Sequence, residues 1–285
     1  MTAMGVTDQV LADLAAEEDD VDRMVAGLAD RQWMLPTPAP GWTIAHQVAH
    51  LADNSRITAL AAVNPAEFEA RRHAMGSGFE NFDAVIAAGA AEQLAGTPAE
   101  LLARWRTQRA AARDALAAVP PGQKVPWMVT PLSVATVASA QIMELFGHGQ
   151  DIADALGVLR EPSARIRHVA RFGVRTRDFA FLAHGLTPPA DEFSVELAAP
   201  GDLGDLGDLG GLGDLGGLGG QIWRFGPDSA AQRVSGPAVD FCLLVTRRRH
   251  RDDLALTASG PDADRWLSIA QAYVGPPGPG RAPRS

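Results

Sequence analysis

The chain has 285 residues, long enough for one large domain or two ordinary ones, and 46% of them are apolar, as expected of a protein with a true core. A net charge of −9 excludes the basic surface that phosphate-backbone binding requires, so nucleic acid is not an expected partner. A single cysteine, Cys242, excludes an internal disulfide and fits a reducing, cytoplasmic home.

Residues 7–30 open the chain as a helix, with an apolar stripe of Val10, Leu11, Leu14, Val21, Met24 and Leu28 and acidic residues toward its start. This acidic amphipathic segment is unlike a signal peptide. No apolar run reaches the roughly 18 residues that span a bilayer, so no membrane association is expected. Arg31 to Gly41 holds three prolines and reads as a loop. Thr43 suits the N-cap of a helix over 43–62 that carries His46, His50 and Asn54. Shorter helices are expected from Pro65 and over Asn81–Gln93. Thr97-Pro98-Ala99-Glu100 is a capping box with proline at the first helical position, opening a helix to about Val119. A loop, PPGQKVPWMVTPLS, leads to Ser133, the cap of a helix over 133–156 that ends at Gly157. A last helix covers about Ser163 to His184. The expected fold is mainly α: residues 1–187 form an antiparallel bundle of four long helices (7–30, 43–62, 97–119, 133–156).

After Thr187-Pro188-Pro189 the pattern changes. FSVELAAP and QIWRFG alternate as strands, and GPAVDFCLLVTRR and PDADRWLSIAQAYV read as helices, so 190–275 is expected to be a small α+β domain. Within it, residues 201–220 repeat glycine every third position, a Gly-rich peripheral insertion too short to bury a core of its own. The tail, 276–285, is expected to be disordered.

Chemistry concentrates in two stretches, GWTIAHQVAHLADNS and MELFGHGQD. Glu144 and His148 are four apart on one helix face. Gln141, Glu144, His148 and Asp151 form a polar seam among the apolar Ile142, Met143, Leu145 and Phe146. A buried polar seam needs partners, either a metal ion or a polar network between helices. His46 and His50 are also four apart. The apolar neighbours of His50 favour it slightly, and either histidine, or both, remains open as a ligand on pattern alone. Arg247 and Arg249, in the run RRRHR, are candidates for binding an anionic cofactor group. A solvated helix end is the plainer reading of that run. Trp127 reads as a packing residue and Cys242 as a small core residue.

The pair GWTIAHQVAHLA and MELFGHGQDIADALG resembles the DinB-like superfamily that includes the mycothiol-dependent maleylpyruvate isomerases. RVSGPAVDFCLLVTRRRHRDDLAL, with ADRWLSIAQAYV, is similar to the C-terminal domain of an actinobacterial branch of it, a region that also resembles a domain of wyosine-forming proteins. The resemblance implies a DinB-like helical bundle in which His50, Glu144 and His148 bind a divalent metal, usually zinc. Asp151 and Gln141, on nearly the same face of the helix that carries Glu144 and His148, are candidate helpers beside it. The resemblance also implies mycothiol as a thiol cofactor and a small-molecule substrate. The sequence leaves monomer and homodimer equally open. Within that branch Arg often stands where this chain has Gln141, a change that removes a natural carboxylate clamp. The expected activity is metal-assisted activation of a thiol or water, for isomerisation or S-transfer on a small electrophilic metabolite. The alternatives are a thiol-independent lyase or hydrolase of specialised metabolism, and a non-catalytic metal-binding protein.

Overall fold

A computed structural model describes residues 5–74, 81–200 and 221–284. The chain forms two compact units, 1–160 and 161–285. The Gly-rich insertion 201–220 lies outside the described residues. Among those described, no helix is long and apolar enough to cross a membrane.

The first unit contains α1 (Val6–Val25), α2 (Asp30–Trp33), α3 (Ile44–Val63), α4 (Pro65–Ala74), α5 (Phe82–Gln93), α6 (Pro98–Ala117) and α7 (Val134–Leu156). A two-residue hairpin of β1 (Lys124–Val125) and β2 (Leu132–Ser133) precedes α7. The four long helices α1, α3, α6 and α7 form the bundle, α1 against α7 and α3 against both α6 and α7. Leu14 and Val21 of α1, Ile44, Val48 and Ala52 of α3, Trp105 of α6, and Ile142 and Ile152 of α7 are buried. One end is closed by Ile57, Phe68, Leu116 and Val137, with the Trp127 ring stacked on Phe68 at 6.0 Å, the packing role expected of it.

The capping chemistry read from the sequence sets these boundaries. Thr97 N–H donates to Glu100 Oε2 at 2.7 Å, and Glu100 N–H to Thr97 Oγ1 at 3.3 Å. Thr136 N–H donates to Ser133 Oγ at 3.3 Å, and Gly157 ends α7 at φ 67°, a left-handed turn that suits glycine. The expected first helix over 7–30 instead stops at Val25, and Asp30–Trp33 forms a turn of helix where a loop was expected. Buried charge stitches the bundle together. Asp22 accepts two bonds from Arg106, 2.7 and 2.6 Å, and Arg160 joins Glu17 at 2.6 Å and the Phe146 carbonyl at 3.0 Å.

The second unit begins earlier than the change in composition suggests. The segment expected to close the bundle as one helix over 163–184 is two helices, α8 (Ile166–Arg175) and α9 (Arg177–Ala183), and both belong to this unit. The break falls at Thr176, whose hydroxyl oxygen lies 3.1 Å from each of the Phe172, Gly173 and Gln271 carbonyl oxygens. The reason for the reassignment is packing: α8 rests on α10 (Ala238–Val245) and α9 on α11 (Pro261–Ile269). The sheet has the order β4-β3-β5-β6, built from β3 (Ser194–Ala198), β4 (Ile222–Phe225), β5 (Arg233–Pro237) and β6 (Thr257–Ser259). β3 pairs antiparallel with β4 and parallel with β5, with Val195 opposite Val234 and Leu197 opposite Trp223. Those four side chains are buried, as are Phe241, Cys242 and Trp266. Cys242 donates its thiol to the Ile166 carbonyl at 3.4 Å, consistent with its expected core position. The tail has no helix or strand over 276–284, and hydrogen bonds reach it at Gly278 and Arg284. Arg247 donates to the Gly278 carbonyl at 3.2 Å, and Arg284 N–H to the Asp253 carboxylate at 2.9 and 3.1 Å.

Candidate metal centre

Two polar seams of equal spacing meet between α3 and α7. Gln47, His50 and Asn54 recur at intervals of three and four on α3, and Gln141, Glu144 and His148 do so on α7. They pair in reverse order. Gln47 Oε1 lies 2.5 Å from His148 Nδ1, His50 Nε2 3.3 Å from Glu144 Oε2, and Gln141 Nε2 3.2 Å from Asn54 Oδ1. Reverse pairing requires α3 and α7 to run antiparallel, and both seams then fall within the bundle.

At the centre, one ligand atom each from His50, Glu144 and His148 lie within 4.8 Å of one another. Glu144 Oε2 is 3.3 Å from Nε2 of both histidines, and the two imidazole centroids are 4.4 Å apart. Donor atoms bonded at about 2.1 Å to a tetrahedral ion are separated by roughly 3.4 Å, so the spacing fits a divalent cation of zinc's size. Two histidines and one glutamate are also a donor set of catalytic zinc sites, which keep a position for water or substrate. The side chains remain 13–21% exposed, enough for small molecules to approach. Burial acts to raise the Glu144 pKa, but hydrogen bonds from His148 and His50 outweigh it and hold the carboxyl well below its ordinary range. Glu144 is therefore an anionic donor at neutral pH.

His46 has a different task. Its Nδ1 lies 2.8 Å from Thr43 Oγ1 and 3.3 Å from Thr43 N, so the ring closes the first turn of α3 as a capping group. That separates it from His50, which a spacing of four could not do.

Trp42 is a neighbour the sequence reading missed. The turn before α3 is closed by Thr37 N–H to the Trp42 carbonyl, 2.8 Å, and Ile44 N–H to the Leu35 carbonyl, 3.1 Å. Gly41 allows it at φ 78°. The indole thereby stacks on His148 at 5.9 Å and lies 5.6 Å from His50, an aromatic wall beside the trio. Gln47 was missed too, and the matching three-four spacing of the seams was the signal that pointed to it.

Of the expected helpers, Gln141 lies one turn from Glu144, buried, its amide bonded to Asn54. Asp151 is buried three residues beyond His148, but the group on His148 Nδ1 is Gln47. Arg247 and Arg249 belong to the second unit, where Arg247 holds Gly278 and Arg249 donates to the Arg248 carbonyl at 2.7 Å.

A helical bundle with two imidazoles and a carboxylate converging from facing helices defines a class of candidate metal-centre proteins. Comparison with known proteins gives the family. The model of the mycothiol maleylpyruvate isomerase N-terminal domain matches residues 14–153, which include all three convergent side chains, and a wyosine base formation model matches 221–259. The chain is 46% identical over 271 residues, 95% of its length, to the uncharacterized proteins Rv0036c and MT0041 of Mycobacterium tuberculosis strains H37Rv and CDC 1551, covering 97% of each. Its fold is similar to crystal structures of a mycothiol-dependent maleylpyruvate isomerase, with TM-score 0.55 at 14% identity, and of its histidine-to-alanine mutant, with TM-score 0.56 at 13% identity. Each alignment covers 92% of this chain and 99% of the other. The chain belongs to the DinB-like, mycothiol-dependent maleylpyruvate isomerase superfamily.

Proposed function

We propose that this protein is a divalent-metal-dependent enzyme that activates a thiol of the mycothiol type for isomerisation or S-transfer on a small electrophilic metabolite. The observation that carries the reading is the convergence of His50, Glu144 and His148, with both histidine Nε2 atoms 3.3 Å from one carboxylate oxygen. Membership of the superfamily supports the thiol.

When bound by these three residues, zinc supplies Lewis acidity that lowers the pKa of a thiol or water and polarises a carbonyl. The protein does the rest. Glu144 contributes the negative charge that favours a cation, and the imidazoles present their Nε2 atoms without adding charge. Trp42 excludes water from one side of the trio and offers a flat apolar surface to a planar unsaturated substrate. The Gln141–Asn54 amide pair offers neutral hydrogen-bonding groups one turn away. Addition of the thiol sulfur to a conjugated C=C bond, with a proton taken up at the neighbouring carbon, leaves a single bond free to rotate. Loss of the same thiol and proton restores the alkene and gives isomerisation; retention gives S-transfer. Water activation is the second reading. It is favoured by Gln141, because a neutral amide does not clamp a substrate carboxylate as Arg would.

Elemental analysis of untagged protein is expected to find about one zinc-type metal per chain, lost in Glu144→Gln and His148→Ala. Calorimetric titration of the metal-loaded protein with mycothiol is expected to show binding that His148→Ala abolishes. Metal-free wild-type protein that also fails to take up zinc refutes the metal centre, whereas a loaded protein with no thiol binding refutes only the thiol route.

A further inference from the structure

The two ring nitrogens of His148 are set apart by their surroundings. Nε2 faces Glu144 at 3.3 Å, and Nδ1 faces Gln47 Oε1 at 2.5 Å. The proton positions on the Gln47 side follow from bonding capacity alone. The Trp42 main-chain carbonyl only accepts, and it takes Thr37 N–H at 2.8 Å and the Thr37 hydroxyl at 2.9 Å. A hydroxyl has one proton, so the Thr37 oxygen must accept from Gln47, whose Nε2 is 2.9 Å away. This fixes the amide with its oxygen toward His148. That oxygen also only accepts, so Nδ1 of His148 must carry a proton, which leaves Nε2, the atom facing Glu144, as the nitrogen able to ligate an ion. Gln47 is fully buried, so no water substitutes for it.

We infer that Gln47 is the positioning residue of this site: it locks His148 in the Nδ1–H tautomer, with Nε2 aimed between His50 and Glu144, and is itself anchored through Thr37 to the Trp42 backbone. The inference rests on the trio being a metal centre. Groups that bond to the second nitrogen of a ligating histidine fix ring orientation and raise its basicity, and their removal weakens metal binding about 10–100-fold. The same chain of bonds ties the turn carrying the Trp42 ring to the ligand, so the aromatic wall and the His148 ring are placed together.

Zinc affinity, measured by competition with a chromophoric chelator, is expected to fall about 10–100-fold in Gln47→Met, which keeps the side-chain length but lacks the acceptor. Gln47→Glu, which restores an acceptor at Nδ1, is expected to recover most of the loss. The visible spectrum of the cobalt-loaded protein is expected to change in Gln47→Met and to return toward wild type in Gln47→Glu. In the zinc-loaded wild type, nitrogen-15 NMR is expected to show His148 protonated at Nδ1 and metal-bound at Nε2, a readout that holds even if Gln47→Met fails to fold. Wild-type affinity and an unchanged cobalt spectrum in Gln47→Met overturn the inference, as does coordination through Nδ1. Failure of the wild type to bind zinc or cobalt overturns the metal centre itself, and the inference with it.

Discussion

Gly89 lies inside α5, where alanine ordinarily stabilises a helix by about 1 kcal/mol over glycine. The structure reverses the sign for Gly89→Ala. A Cβ at this position falls 2.1 Å from Asp53 Oδ2 and 2.7 Å from Asp53 Cγ, so something must move by more than about 1 Å to restore ordinary contact. Asp53 stands on α3, one turn past His50, 4% exposed. Its carboxylate is held by Arg56 Nε at 3.1 Å and Arg71 Nη2 at 3.5 Å. Moving it forfeits a charge-assisted hydrogen bond in a buried setting, about 1.5–3 kcal/mol. Less the helix-propensity gain, the net loss is about 0.5–2 kcal/mol, or a melting temperature lower by roughly 1–8 °C for a domain of this size. Thermal melting of Gly89→Ala, Asp53→Ala and the double variant tests this as a cycle. With Asp53 removed, alanine at 89 is expected to regain its usual stabilising effect. The reasoning fails if Gly89→Ala melts above wild type, or if its effect is equal in both backgrounds.

Three further outcomes are expected. Burial lifts the Glu18 carboxyl to about 8 against the opposing pull of Arg113 and Arg109. Because its folded pKa exceeds its unfolded one, its stabilising contribution is complete below about pH 4.5 and is lost as pH rises toward 8. Wild-type stability should therefore fall relative to Glu18→Gln by up to about 1.4 kcal/mol per pH unit across that window, and parallel melting curves would contradict this. Leu14→Ala opens a cavity at a position only 1% exposed and should lower stability by about 2–5 kcal/mol in urea unfolding; a loss below 1 kcal/mol would mean the bundle collapses around it. Zinc at a hundred times its dissociation constant should add about 2.7 kcal/mol to folding, an effect absent in Glu144→Gln, and equal melting with zinc and with chelator would refute it.

Helix positions were legible where local chemistry decides them, at the Thr97–Glu100 capping box, the Ser133 cap and the Gly157 terminus. Strands that owe their existence to neighbours were not. Arg233–Pro237 holds too few residues to show alternation and flows directly into α10, yet it pairs with β3. Thr257–Ser259 is a three-residue edge defined only by β5. The end of the first unit was hidden for a similar reason, since α8 looks like one more bundle helix until its apolar face is seen against α10. In the site, Glu144 and His148 could be paired on one helix by spacing. Choosing between His46 and His50 needed either the family resemblance or the sight of His46 engaged at Thr43. Gln47 depends on partners 10 and 101 residues away, and its three-four spacing with His50 and Asn54 was the only trace it left in the sequence.

The contact between His50 and Glu144 spans 94 residues of chain. At a synthesis rate of about 5–20 residues per second, His50 is made roughly 5–20 s before Glu144. During that interval a metal ion can find the histidine but not the site. If the trio holds a metal, selection among the metals of the cell would fall to the closed bundle rather than to the growing chain. An ion taken up at that point would clasp the two helices after they have met, as a reversible fastener across a long loop.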